Sequence, residues 1–207
     1  STILCDFKDN NYNYNTTAHK ILQTLFSIDQ IALRMRDTVG IRLEDLKNRT
    51  EVTMQALCAW LGIVETPSLY QATAQGKKLW GDPSSPDYDA NEDISPFYKS
   101  SICRAIGEIF SEKDQFVLGT LFYPFSVRFG YLEPDPGQFS KDLKEVRPLI
   151  DDMLDFEKTM ADRSKIDHAS FKRNGAYQLF RAGLVDRWDV LDKLEDYPHM
   201  LQPLSIA

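Results

Sequence analysis

Thr38-Val39-Gly40-Ile41-Arg42-Leu43-Glu44-Asp45-Leu46, followed by Thr50-Glu51-Val52-Thr53-Met54-Gln55-Ala56-Leu57-Cys58-Ala59-Trp60-Leu61-Gly62, is the stretch on which the reading of this chain turns. Thr38 to Leu43 is short and partly β-branched, which makes it the best strand candidate in the sequence. The second part predicts a helix: Thr50 is placed to cap its start, Glu51 suits the positive end of the first turn, and Gly62 suits its stop. Val52, Met54, Ala56, Leu57, Trp60 and Leu61 give that helix a broad apolar face. Glu44 and Asp45 lie between strand and helix. Acids there satisfy backbone N–H groups and favour the positive helix end, so they read as turn and cap residues rather than acid–base catalysts.

Working outward, residues 1–15 are polar and read as an irregular lead-in, and Thr17 to Arg36 has the apolar spacing of a helix. Gly76 to Pro96 carries Pro83, Pro86 and Pro96 among polar residues and reads as a long loop. A helix is expected over Phe97–Phe110. Ser111-Glu112-Lys113-Asp114 is a capping signal for another, which Pro124 should kink or end. The breaker Glu133-Pro134-Asp135-Pro136-Gly137 predicts a boundary between a region 1–132 and a helical extension 133–207. In the extension, Leu143, Val146, Ile150, Met153, Leu154, Glu157 and Met160 predict one amphipathic helix over 139–162, flawed by Pro148, and 168–196 predicts one or two more. The aromatic run Phe116, Phe122, Tyr123, Phe125, Phe129, Tyr131 reads as core or helix-packing surface, with Arg128 extending to solvent. The expected fold class is mainly α with little sheet.

Composition narrows the classes of function. The 207 residues, 43% of them hydrophobic, suffice for a real core, and the formal net charge of −7 sets the overall field against nucleic acid and anionic membranes. An anionic cofactor would therefore need a local basic pocket. No apolar run is long enough to span a membrane, and Ser1 to Asn15 lacks the pattern of a signal peptide. Cys5, Cys58 and Cys103 are odd in number and far apart, which suits free thiols in a reducing, cytoplasmic compartment. The sequons at Asn15 and Asn48 are short enough to arise by chance. A chain opening on Ser1 without Met fits a processed product or a fragment.

Catalytic signatures are absent. His19, His168 and His199 are scattered, no metal-ligand spacing occurs, and there is no G-x-S-x-G, G-x-G-x-x-G or Walker loop. No catalytic residue and no metal ligand can be assigned on these grounds.

Thr38 to Leu46 with Met54-x-x-Leu57-Cys58-x-Trp60-Leu61-Gly62-Ile63 resembles a block of the PAPS-dependent sulfotransferases, in which a strand ends in an R-Y-E-D-L-like turn and a helix closes on F-L-G. The resemblance covers residues 20–63, and more weakly as far as 85. It implies the C-terminal part of an α/β P-loop-type sulfotransferase fold, with PAPS as co-substrate and a hydroxyl- or amine-bearing acceptor, small molecule or glycan. Leu43 replaces the Tyr that lies near the donor's adenine. It can pack there but cannot donate a hydrogen bond. Gly76-Lys77-Lys78-Leu79-Trp80-Gly81 resembles the basic and aromatic loop that helps hold the nucleotide, pointing to Lys77, Lys78 and Trp80, although a solvated loop explains the same residues. Phe171-Lys172-Arg173-Asn174-Gly175 resembles the family's R-K-G motif and points to Lys172 and Arg173 for the 3′-phosphate, against the alternative of a solvated helix face.

The family's P-K-S/T-G-T-T phosphate loop and its R-x-x-x-x-x-x-x-S motif do not precede Thr38. Sulfuryl transfer is thus expected only of a longer parent chain. The alternatives are a sulfotransferase-like pseudoenzyme and a non-catalytic helical module that docks a protein partner through the face of helix 139–162.

Overall fold

The computed structural model describes residues 14–15, 18–19, 21–22, 35–70, 73–74, 77–78, 107, 109–193 and 201–206. The described part is mainly helical. The chain divides into two compact units, a smaller one within 39–102 and 203–207 and a larger one within 1–38 and 103–202. Residue 133, where a boundary was expected, lies within the larger unit.

In the smaller unit, the strand expected over Thr38–Leu43 reduces to one parallel bridge between Gly40 and Pro203, with the Leu204 N–H donating to the Gly40 carbonyl at 2.8 Å. Helix α1 (Leu43–Asn48) starts where the strand was expected to end, and α2 (Thr50–Leu61) follows after the single non-helical residue Arg49. Thr50 does not cap α2; that position is Arg49, and the Thr50 hydroxyl donates instead to the Leu46 carbonyl at 2.7 Å. Gly62 ends α2 as expected. At φ 68° it adopts the left-handed conformation, its N–H bonds to Ala59 O, and the Ile63 N–H reaches Cys58 O. Strands β1 (Thr73–Ala74) and β2 (Lys77–Lys78) pair antiparallel, so Lys77 and Lys78 lie in a ladder and not in the loop expected there.

The larger unit is a helical bundle. Residues 14, 15, 18, 19, 21 and 22 are helical, and Tyr14, Ala18 and Ile21 are buried at i, i+4, i+7 spacing. The helix expected to run to Arg36 does not reach that far, because residues 35–37 are irregular; the expected helix over 97–110 lies almost entirely outside the described residues. Helix α3 (Glu112–Leu121) begins with a full capping box. Ser111 Oγ accepts the Asp114 N–H, and the Asp114 carboxylate accepts the Ser111 N–H, each at 3.1 Å. Pro124 marks the end of α3, as expected, and sits in the first turn of α4 (Tyr123–Arg128), where a missing N–H is harmless. The breaker at 133–137 proves to be a helix start: Asp135 accepts the Gln138 N–H at 2.9 Å and Pro136 opens α5 (Pro136–Leu149).

The single helix expected over 139–162 is two. Proline in the last turn of α5 withdraws one N–H from the ladder, and the chain leaves the helix at Ile150 before α6 (Asp155–Arg163) begins. Next come α7 (His168–Lys172), capped by Asp167, and α8 (Gly175–Lys193). Helix α3 packs against α5, α6 and α8, and α8 against α5 and α7. Val117, Leu121, Val146, Ile150, Leu154, Phe156, Met160, Phe180 and Leu184 form the centre of the core, all with 0–1% of their surface exposed. The apolar face proposed for docking a partner through 139–162 is therefore spent inside this unit.

One helix end lacks what its neighbours have. The residue before α6 is Leu154, which has no acceptor, and the first two N–H groups of the helix bond to Asp114 of α3 instead: Asp155 N to Oδ1 at 2.7 Å and Phe156 N to Oδ2 at 2.9 Å. Glu157 bonds back to the Leu154 N–H at 2.7 Å and completes the end. Asp114 is fully buried, so truncation leaves three backbone donors without a partner. Asp114→Ala should cost roughly 3 kcal/mol of stability in urea unfolding, because buried hydrogen bonds to a charged acceptor are lost together. A loss within experimental error would show that the shared cap contributes nothing.

Lys165, which closes α6, takes φ 54° while its N–H bonds to Asp162 O and the Ile166 N–H bonds to Ala161 O. A side chain is strained in that conformation. Lys165→Gly should raise the melting temperature through a gain of about 0.5–1 kcal/mol; an unchanged or lower value would count against strain there.

Candidate functional site

Arg42 and Asp45 form the ordered centre of the block that carries the sulfotransferase resemblance. The guanidinium takes the carboxylate as a fork, Nε to Oδ2 at 2.5 Å and Nη2 to Oδ1 at 2.8 Å. Asp45 is 7% exposed, and the hydrogen bond from Arg42 holds its carboxyl below the ordinary range against the opposing effect of burial. The expectation that Asp45 satisfies backbone N–H groups is thus corrected, since its side chain spans one helical turn to an arginine. Its backbone carbonyl ties α1 to α2, accepting the Arg49 N–H at 2.8 Å and the Thr53 hydroxyl at 3.1 Å. Thr53 is fully buried, which fixes the angle between the two helices.

Beside this fork Leu43 is 51% exposed, and at the far end of α2 Trp60, Leu61 and Ile63 are also exposed. The broad inward face expected of α2 narrows to Thr53, Met54 and Cys58. Lys77 and Lys78 belong to the same unit through β2, and Trp80 lies outside the described residues.

Lys172 and Arg173 belong to the larger unit, at the end of α7. Lys172 Nζ donates to Asp152 Oδ1 at 2.6 Å and Arg173 Nε to the Ala169 carbonyl at 3.2 Å. Both side chains are exposed and have partners within their own unit.

A second polar constellation, absent from the expectations, is buried in the larger unit. Glu157, with no exposed surface, accepts the Tyr14 hydroxyl at 2.7 Å and the Leu154 N–H, and is paired with Arg181. Arg181 Nη1 also donates to the carbonyls of Ile150 and Asp152, both at 2.9 Å, and the guanidinium lies 5.1 Å from the Tyr177 ring centre and 5.2 Å from that of Phe180. Burial, then the charge of Glu157, pushes the Tyr14 hydroxyl well above the ordinary range, so it remains a donor. Such a site holds helices together. The sequence signal was an acid at 157 in register with Leu154 and Met160 on an apolar stripe: a buried carboxylate demands donors.

Among the described residues no group of His, Cys, Asp and Glu is arranged to hold a metal ion, and no helix is long and apolar enough to cross a membrane. Comparison of the chain with protein-family models, curated proteins and solved structures gave no match.

The Asp152–Lys172 pair sets a pH response. A hydrogen bond from Lys172, helped by the Met153 N–H, lowers the Asp152 carboxyl from 3.8 to about 2. A depressed acid contributes its stability above the unfolded value and loses it as pH falls from 3.8 toward about 2. In Lys172→Met the Asp152 carboxyl should titrate closer to 3.8 by NMR; titration unchanged from the parent would show that the pair does not form in solution.

Proposed function

We propose that this chain is a portion of a sulfotransferase, contributing part of the site that holds PAPS while a sulfuryl group passes to a hydroxyl or amine acceptor. The observation that carries the reading is the fork between Arg42 and Asp45 at the start of two helices that end on Gly62 in the left-handed conformation. That is a rigid turn, followed by helix and glycine, at the residues on which the resemblance rests.

The half-exposed Leu43 beside the fork offers an apolar surface against which an adenine ring can pack. Lys77 and Lys78, in the same unit, are cations of the kind that bind nucleotide phosphate. Lys172 and Arg173, which the resemblance pointed to for the 3′-phosphate, lie in the larger unit, where Lys172 is paired with Asp152. Transfer itself requires donors aimed at the transferring group and the leaving phosphate. In this reading a phosphate loop of a longer enzyme supplies these.

Calorimetric titration with adenosine 3′,5′-bisphosphate tests the reading. Binding is expected, with a rise in melting temperature, and Lys77→Ala/Lys78→Ala should weaken it several-fold. Absence of both heat and thermal shift in the folded chain would overturn nucleotide binding here and leave the pseudoenzyme reading in its place.

A further inference from the structure

Asn174 and Gly175 stand at the junction of α7 and α8, and both are exposed. Asn174 caps the 19-residue α8: its side-chain carbonyl Oδ1 accepts the Ala176 N–H at 2.8 Å, and its backbone carbonyl accepts the Gln178 N–H at 3.1 Å. Gly175 has no positive φ, and a Cβ added to it would meet nothing within 4 Å. Neither conformation nor packing calls for glycine at this position, and glycine is a poor residue inside a helix.

We propose that Asn174 is a site of spontaneous, fold-assisted deamidation. The Gly175 nitrogen lies in the first turn of α8, where backbone N–H groups have no intrahelical acceptor. Having lost its proton to solvent base, it attacks Asn174 Cγ to close a five-membered ring, with no side chain on residue 175 in the way. Negative charge then develops on Oδ1, the atom that the Ala176 N–H already holds. The positive end of α8 stabilises the same charge, so the helix start serves as a preformed oxyanion hole. Cγ–Nδ2 cleavage, with a proton delivered to the departing nitrogen, releases ammonia and leaves a succinimide.

Water then opens the ring on either side. Cleavage of the new Cγ–N bond gives aspartate, which keeps the cap and adds a carboxylate beside Arg173. Cleavage of the original backbone C–N bond gives isoaspartate, which lengthens the main chain by a methylene and displaces the cap oxygen from Ala176. The two products therefore act oppositely on α8.

Incubation of the intact chain at mildly alkaline pH, followed by peptide mass spectrometry with chromatographic separation of the aspartyl and isoaspartyl forms, measures the rate at Asn174. The same chain in concentrated denaturant is the reference. The expected result is faster conversion in the folded protein than in denaturant. In Gly175→Ala, whose methyl enters open space and whose retained fold circular dichroism can verify, conversion should be slower in the folded and the denatured chain alike. A folded-state rate equal to or below that in denaturant overturns the proposal, whatever the variant does.

Discussion

The Asp114 carboxylate is the point on which the larger unit depends. It closes the capping box of its own helix through the Ser111 N–H and also takes the first two N–H groups of α6, with no exposure to solvent. Burying a charge is costly unless donors surround it, and three backbone N–H groups provide that environment. Ser111 adds a hydroxyl bond to Asp155 at 2.9 Å, and this bond, followed by the one from Lys158, lowers the Asp155 carboxyl. Two helix starts that would each have needed water are thus turned inward against one another, and apolar residues such as Phe156 and Val117 can pack around them at full burial.

The break between α5 and α6 obeys the same constraint from its other side. Leaving a helix at Ile150 frees carbonyls that must find donors. Arg181 supplies them at Ile150 and Asp152 while its charge is matched by Glu157. Arg187 does the same at the end of α3, where Nε reaches the Leu121 carbonyl at 3.2 Å, and the Trp188 indole reaches Leu143 at 2.7 Å. The polar side chains of α8 thus act on the ends and backbones of its neighbours, while its apolar side chains fill the space between them.

What the sequence made legible was local. Ser111 to Asp114 announces its capping box, Gly62 its left-handed stop, and Pro124 the end of α3, because each signal is complete within a few residues. The errors fell where a distant partner decides. Thr38 to Leu43 has strand-like composition, but pairing needs a neighbouring backbone, and among the described residues it meets only Pro203 at one bridge. The apolar series from Leu143 to Met160 keeps helical register across a break because both helices face one core, so periodicity alone could not reveal the interruption. The block at Arg42 was legible as a turn feeding a helix. The fork that orders it was not, since Asp45 served equally well as a cap on paper and only the folded geometry shows its carboxylate turned toward Arg42.

The borrowed cap of α6 also bears on how the chain is made. Asp114 lies 41 residues ahead of Asp155 and leaves the ribosome first. Because α3 carries a complete capping box of its own, every residue that fixes its start is made before α6. The nascent chain therefore presents the acceptor before the N–H groups that need it emerge. Synthesis in the opposite order would leave the Asp155 and Phe156 N–H groups waiting for their acceptor.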